Sequence, residues 1–334
     1  VPRVRRTGSG PMTEVVIVPH QERAEAAQLA GIAADWLAAR GHRAYLLRRD
    51  AELLGLPALG ADLDPSTAGL ALSLGGDGSV LRTVLLLGGA AVPVIAVNVG
   101  TLAYLTEVEP SSLTQALERY FDGECTIERR MLLDVAVRRR SGDGSRDSWR
   151  ALNEAVLERE EAGHTVRLLV RIDDAPFMSY AADGMIIATP TGSTAYNLSA
   201  GGPIVQPNVD AMIITPIAPH TLTNRPIVIP GTSTVRIQPT MEARDEIVFT
   251  LDGQSTFPIH AGDEISISRA PRRCTARASD SNCSTPVVRR SNSTSAGSIP
   301  GTSVETRSGT VSSCMRISSY SLPPLKGGRP ASIS

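Results

Sequence analysis

The sequence predicts an α/β domain followed by a β-rich domain. From Val15 to Phe121 short apolar runs alternate with helical windows, which implies a parallel sheet of Rossmann-like kind. After Gly123 strand-like runs dominate, and past Ala270 no periodicity is left. These shifts set the expected boundaries: an extension over 1–11, an α/β domain over 12–124, a β-rich domain over 125–270 and a tail over 271–334.

Val15–Val18 is continuously apolar, as a strand covered on both faces should be. Ala24–Arg40 places Ala, Leu and Ile at helical spacing, and Gly41 stands where a helix would end. Ala44–Leu47 reads as a second strand. Leu70–Leu74 runs into Gly75-Gly76-Asp77-Gly78, with a helix expected over Val80–Leu87. Val94–Val97 is a further strand, and Pro110-Ser111 opens a helix through Phe121. In the second domain, strands are expected at 132–138, 152–158, 165–172, 177–181, 185–189, 212–215, 227–229, 235–238, 247–251 and 264–268. Asp143-Gly144 and Asp173-Asp174 are hairpin-turn candidates, and Ser193–Ala200 is the main helical window.

The chain has 334 residues, 42% of them hydrophobic, and a net charge of −1 that conceals two unlike parts. Residues 271–334 hold nine basic and two acidic groups, or +7; the first 270 hold 24 and 32, or −8. An acidic body excludes a duplex-DNA binder, which needs a basic face for the phosphates. The tail, with sixteen Ser, is expected to be disordered or to be an out-of-frame translation. Translation is expected to start at Met12. Lys326 is the only lysine, so the body has neither a P-loop lysine nor a Schiff-base lysine. Phosphate chemistry there must use backbone N–H groups, arginine and metal. Cys125 is the one body cysteine, which excludes an internal disulfide and points to a reducing cytoplasm. The uncharged stretch Thr83–Thr106 is broken by Gly88, Gly89, Pro93, Asn98 and Gly100 and is not expected to cross a membrane.

Three segments carry chemistry. Gly75-Gly76-Asp77-Gly78-Ser79 closes an apolar strand, and its glycines admit a phosphate close to the backbone at a helix N-terminus. Asp77 there is either a general base or a helix N-cap. Asn153-Glu154 interrupts the apolar run Ala151–Leu157. The pair either holds nucleotide hydroxyls or marks a bulged strand with a solvated face. Asp183–Pro203 packs Thr, Ser, Gly and Pro between a strand and a short helix, offering many donors without net charge. A neutral polar ligand such as adenosine suits it.

Gly75–Ser79, Asn153-Glu154 and above all Thr189–Pro207 (TPTGSTAYNLSAGGPIVQP) resemble the motifs of the NAD kinase family. Thr215–Pro226 and Asp252-Gly253-Gln254 fit as well. The resemblance implies transfer of a phosphoryl group from ATP or inorganic polyphosphate to the adenosine-ribose 2′-hydroxyl of NAD. It implies an active site in the crevice between the two domains, a divalent cofactor such as Mg2+, and a cytoplasmic homodimer or homotetramer without nucleic-acid or membrane partners. Asp77 would accept the proton, with Gly75, Gly76, Gly78 and Arg82 at the phosphates. Asn153 and Glu154 would hold hydroxyls. His164, Asp183, Thr194, Ala195, Tyr196, Asn197, Leu198, Ser199 and Gln254 match further nucleotide-contacting positions, and Tyr104 falls where an aromatic lies against adenine. Thr101-Leu102-Ala103-Tyr104 departs from the usual Arg-Leu-Gly-Phe, removing a positive charge.

Two other readings remain at this level. A lipid kinase of the diacylglycerol or sphingosine type shares the glycine loop, though the body has no basic membrane-facing patch. A non-catalytic dinucleotide-binding paralogue would bind NAD without turnover. His20 ends a strand and lies either in the crevice or on the surface, whereas His220, Arg138–Arg140 and Trp36 read as structural, surface and packing residues.

Overall fold

The computed structural model describes residues 12–100, 103–140, 146–160, 165–220, 224–240, 247–260, 262–271 and the strand 284–289. The α/β region runs β1 (Glu14–Pro19), α1 (Ala24–Ala38), β2 (Arg43–Leu47), α2 (Arg48–Leu53), β3 (Gly60–Ala61), β4 (Leu70–Gly75), α3 (Asp77–Leu87), β5 (Val94–Asn98) and α4 (Leu113–Phe121). Strands β1 to β5 are all parallel, in spatial order β3-β2-β1-β4-β5. Alternate residues of β1 serve opposite faces, which is why the run is continuously apolar. Val15 and Ile17 pack with α1 residues Leu29, Ala33 and Leu37, whereas Val16 and Val18 pack with Leu87 and Val92.

The order reverses between β1 and β4: β2 and β3 lie on one side, β5 on the other. Open α/β sheets bind ligands outside the carboxyl ends of the strands at such a reversal. Here that point falls between the end of β1 and Gly75, and the His20 amide donates to the Leu74 carbonyl across it at 2.7 Å.

The second region is antiparallel. Whereas β6 (Thr126–Met131) joins the sheet of the first region at its edge, the strands here are β7 (Leu133–Arg138), β8 (Arg146–Ala151), β9 (Glu154–Arg159), β10 (Val166–Ile172), β11 (Ala175–Ala182), β12 (Gly184–Ala188), β13 (Ala211–Ile217), β14 (Ile227–Pro230), β15 (Val235–Pro239), β16 (Ile247–Leu251), β17 (Ser255–Ile259) and β18 (Glu264–Arg269), with a single-turn α5 (Tyr196–Ser199). Sheets β11-β10-β15-β18-β7-β8 and β14-β13-β12-β9-β16-β17 share one core, in which Val135, Leu168 and Ile237 of the first meet Leu157, Ile187 and Phe249 of the second. The second sheet is covered outside as well, where Val156, Ile186 and Ile213 pack against Ala200 and Val205. Asp173 and Asp174 both take positive φ, 51° and 66°, and close the expected β10–β11 hairpin. The Asp143-Gly144 candidate lies outside the described residues.

Three expectations differ. Strands β6, β8 and β17 were not legible, because Thr126–Met131 and Arg146–Ala151 each carry three charges in six positions and pair by backbone rather than by apolar pattern. Asn153 is not inside a strand: β8 ends at Ala151, the chain turns at Leu152-Asn153, and β9 begins at Glu154. Within the tail, which was expected to be disordered or out of frame, Ser284–Arg289 forms β19, antiparallel to β6 and touching β5. Its β-branched Thr285, Val287 and Val288 supply the strand propensity.

Candidate active site

Strand β4 delivers Gly75 to the end of the sheet, and α3 starts two residues later. A Cβ on Gly75 would lie 2.0 Å from Ser79 Oγ, so only glycine lets the first turn of α3 fold back onto the strand end. The N-cap residue is Gly76, and Asp77 is the first helical residue. Asp77 is therefore not the N-cap. Its carboxylate instead accepts the Leu105 amide at 2.8 Å and the Tyr104 amide at 3.1 Å. A carboxylate has about four lone-pair sites, so acceptor capacity remains. Gly78 is exposed, and Tyr104 is 76% exposed, with its ring free to meet a ligand.

Arg82 is placed differently from the expectation. Its guanidinium contacts both oxygens of Asp50 at 2.6 and 2.7 Å and donates to the Pro19 carbonyl. Asp50 is 1% exposed and also accepts from Gln21. The positive charge of Arg82 is thus matched by a buried carboxylate, and the residue ties α3 to α2 and to the end of β1.

The Leu152–Glu154 corner is held from two sides. Asp252, at φ 50°, accepts the backbone N–H groups of Leu152 (2.7 Å), Asn153 (2.8 Å) and Glu154 (3.0 Å). From the other side Thr189 donates through its hydroxyl to the Leu152 carbonyl at 2.6 Å and through its amide to the Asn153 carbonyl at 2.8 Å. A Cβ on Gly192 would lie 2.1 Å from that Asn153 oxygen, so glycine is required for the approach. Leu152 itself packs with Leu81 and Val84 of α3 and with Leu105. The corner and the helix that starts at Asp77 are consequently one packed unit.

Glu154 is 6% exposed, and its Oε2 has no hydrogen-bond partner among the described residues. Desolvation, then the nearby Asp252 charge, raise its pKa to about 8. Asp252 is raised too, by desolvation against the three amides that favour its charged form. A neutral Glu154 carboxyl offers a donor and an acceptor together, which matches neighbouring ribose hydroxyls.

This has a stability consequence. The native state keeps a proton on Glu154 that the unfolded chain releases above its ordinary pKa of 4.5, so this group lowers stability as pH rises from about 4.5 to about 8. Glu154→Gln is expected to flatten that decline by a few kcal/mol at pH 8. Urea unfolding from pH 5 to pH 8 measures it, and parallel curves for the two proteins would rule the protonated carboxyl out.

The Thr189–Ala200 segment divides into framework and surface. Asn197, 0% exposed, donates to the Ser193 and Pro203 carbonyls and accepts from Thr215 Oγ1 at 2.7 Å. All its polar atoms are used internally, so it is a strut of the loop rather than the expected nucleotide contact. Thr194, Tyr196, Leu198 and Ser199 are exposed and Ala195 is half-buried. The Tyr196 hydroxyl donates to Glu158, and desolvation with that hydrogen bond pushes its pKa up to about 12. Asp183 pairs with Arg159 at 2.9 Å, and His220 lies 3.9 Å away. In the β9–β12 register Gly184 faces Glu158 and Ala188 faces Glu154. Asp183 is therefore at the opposite end of that pair from Glu154, about 17 Å along the strand. Gln254 is exposed on the β16–β17 turn beside Asp252. His164 lies outside the described residues. Asp252 stands out in the sequence only as part of its motif; the signal for its role is an Asp before Gly at a strand end, where the left-handed region is tolerated.

A glycine loop at the sheet's reversal point, a carboxylate at a helix start and a buried corner with an unpartnered carboxyl oxygen are parts that suit a nucleotide-dependent phosphotransferase with an alcohol acceptor. The chain matches the ATP-NAD kinase N-terminal domain over residues 59–125 and the ATP-NAD kinase C-terminal domain over residues 152–277. It is 39% identical over 265 residues to an NAD kinase of Heliobacterium modesticaldum, covering 79% of this chain and 92% of that one. With an NAD kinase of Photorhabdus laumondii subsp. laumondii it shares 38% identity over 265 residues, covering 77% and 88%. Yeast NADH kinase, crystallised with NADH, superposes with a TM-score of 0.72 at 25% identity over 84% of each chain. An NAD kinase from Archaeoglobus fulgidus in complex with ATP shares the fold, with a TM-score of 0.61 at 22% identity. The chain belongs to the NAD kinase family. Among the described residues no helix is long and apolar enough to cross a membrane.

Proposed function

We propose that the chain transfers the γ-phosphoryl group of ATP to the 2′-hydroxyl of the adenosine ribose of NAD, forming NADP and ADP. The observation that carries this reading is the buried, unpartnered Glu154 oxygen at a corner packed against the Asp77 helix. Asn153 and Glu154 orient the ribose, and Gly75–Gly78 receive the phosphates on backbone N–H groups. The 2′-oxygen attacks phosphorus, its proton passes to a free lone pair of Asp77, and the bond to the ADP oxygen breaks. Holding the hydroxyl beside the carboxylate supplies most of what a weak nucleophile lacks. Tyr104 stacks on adenine, and the exposed Tyr196–Ser199 surface with Asp183 and Gln254 extends the dinucleotide site. The motif resemblance also supports a cytoplasmic homodimer or homotetramer, which light scattering of the eluted protein tests.

No group of three or more His, Cys, Asp or Glu among the described residues forms a metal cage. That donor set fits Mg2+ carried by nucleotide phosphates, which takes only one or two carboxylates from a protein. Asp77 is the carboxylate at the loop able to hold it. When bound, Mg2+ would neutralise charge on the phosphoryl oxygens. Excess chelator is expected to lower turnover by about 100-fold or more, and full activity under chelation would refute metal dependence.

NADP formation from NAD, with ATP and with polyphosphate in separate assays, tests the function. Phosphorylation of lipid in vesicles, or NAD binding by calorimetry without NADP formation, would replace it.

A further inference from the structure

We infer that Arg23, rather than Arg82, is the arginine that meets the phosphates of the nucleotide donor; this deepens the kinase reading and rests on it. Arg23 leaves the chain between β1 and α1, on the β1 side of the reversal point. Its guanidinium ends on the far side of β4: one Nη donates to the Val99 carbonyl, just past β5. Strands β1, β4 and β5 are adjacent, so β1 and β5 stand about 10 Å apart with β4 between them. Val99 is hydrogen-bonded to Gly75, so this contact puts the guanidinium beside the carboxyl end of β4, where Gly75 and Gly76 form the glycine loop.

Gly100 makes the placement possible. It adopts φ +132°, and a Cβ there would fall on the Arg23 guanidinium, 1.5 Å from one Nη and 2.7 Å from the other. A side chain at position 100 would displace the guanidinium from this place, and Val99 is itself tied to the loop by its amide, which donates to the Gly75 carbonyl at 3.2 Å.

The two arginines differ in what balances them. Arg82 is matched by the buried Asp50 carboxylate, with its other Nη on the Pro19 carbonyl. Arg23 is half-buried, is bonded to a neutral carbonyl and pairs with no carboxylate among the described residues. A guanidinium has five N–H donors, so one bond to Val99 leaves a fork for phosphate oxygens. The body contains no lysine that could take this part.

Full-length Arg23→Gln and Arg23→Lys proteins test this by initial-rate NADP formation. The Gln variant should lose about 10- to 100-fold in kcat/KM for ATP. Its KM for NAD should stay within about twofold, and Lys should restore part of the loss because it keeps the charge without the fork. An unchanged ATP dependence, or equal loss toward ATP and NAD with a lowered melting temperature, overturns the assignment. Calorimetry with inorganic tripolyphosphate separates this from the kinase reading. Weaker tripolyphosphate binding by Arg23→Gln upholds the phosphate contact even if the wild type makes no NADP, and equal binding refutes it.

Discussion

Asp77→Asn is expected to lower kcat by about 100- to 10,000-fold while leaving the chain folded, the range by which a positioned general base contributes. The amide keeps one oxygen acceptor for the Tyr104 or Leu105 N–H group, but its NH2 opposes the other. A structural penalty of about 1 kcal/mol therefore accompanies the catalytic one. The two separate in the measurements. Loss of proton acceptance lowers kcat, whereas a displaced 104–105 segment weakens nucleotide affinity. Single-turnover NADP formation beside calorimetric NAD binding distinguishes them, and a wild-type kcat would exclude Asp77 as the base.

Asp252→Ala is expected to be the most destabilising single change near the site. It removes the acceptor of three backbone N–H groups, each costing about 1–3 kcal/mol when left unpaired. It also places Ala at φ 50°, a region that Asp and Asn tolerate better. A loss of about 3–6 kcal/mol follows. Asp252→Asn keeps the backbone tolerance and one acceptor, so it should lose less than half as much. Its removal of the charge beside Glu154 should also lower the Glu154 pKa from about 8. Urea unfolding at pH 5, where Glu154 stays protonated, measures the hydrogen bonds alone. A loss under about 1 kcal/mol for the alanine variant would mean that Asp252 does not hold the corner.

Much of this molecule is legible in its residues. The run Val15–Val18 announces a strand with two buried faces, and Leu70–Gly78 announces a strand, a glycine turn and a helix. The Thr189–Pro207 motif marks the second half of the site. What escaped was of two kinds. Strands β6 and β8 carry charges where an apolar alternation would signal them, so their pairing is a matter of backbone hydrogen bonds with neighbours distant in sequence. Asn153-Glu154 looked like a strand interior because local pattern cannot show a corner that Asp252, about a hundred residues onward, holds in place.

The same division applies to the site. Residue types and motif order were sufficient for the glycine loop, the Asp77 carboxylate that follows it and the absence of lysine from the body, because each is a property of local sequence; that Glu154 is buried is not. Which arginine faces the phosphates, whether Asn197 touches ligand or frames the loop, and how far Asp183 stands from Glu154 depend on tertiary contacts. A buried Asp50 balances Arg82, Thr215 takes up Asn197, and the β9–β12 register separates the two acids. Charge balance and hydrogen-bond satisfaction are settled between residues far apart along the chain, and only the folded arrangement brings those partners together.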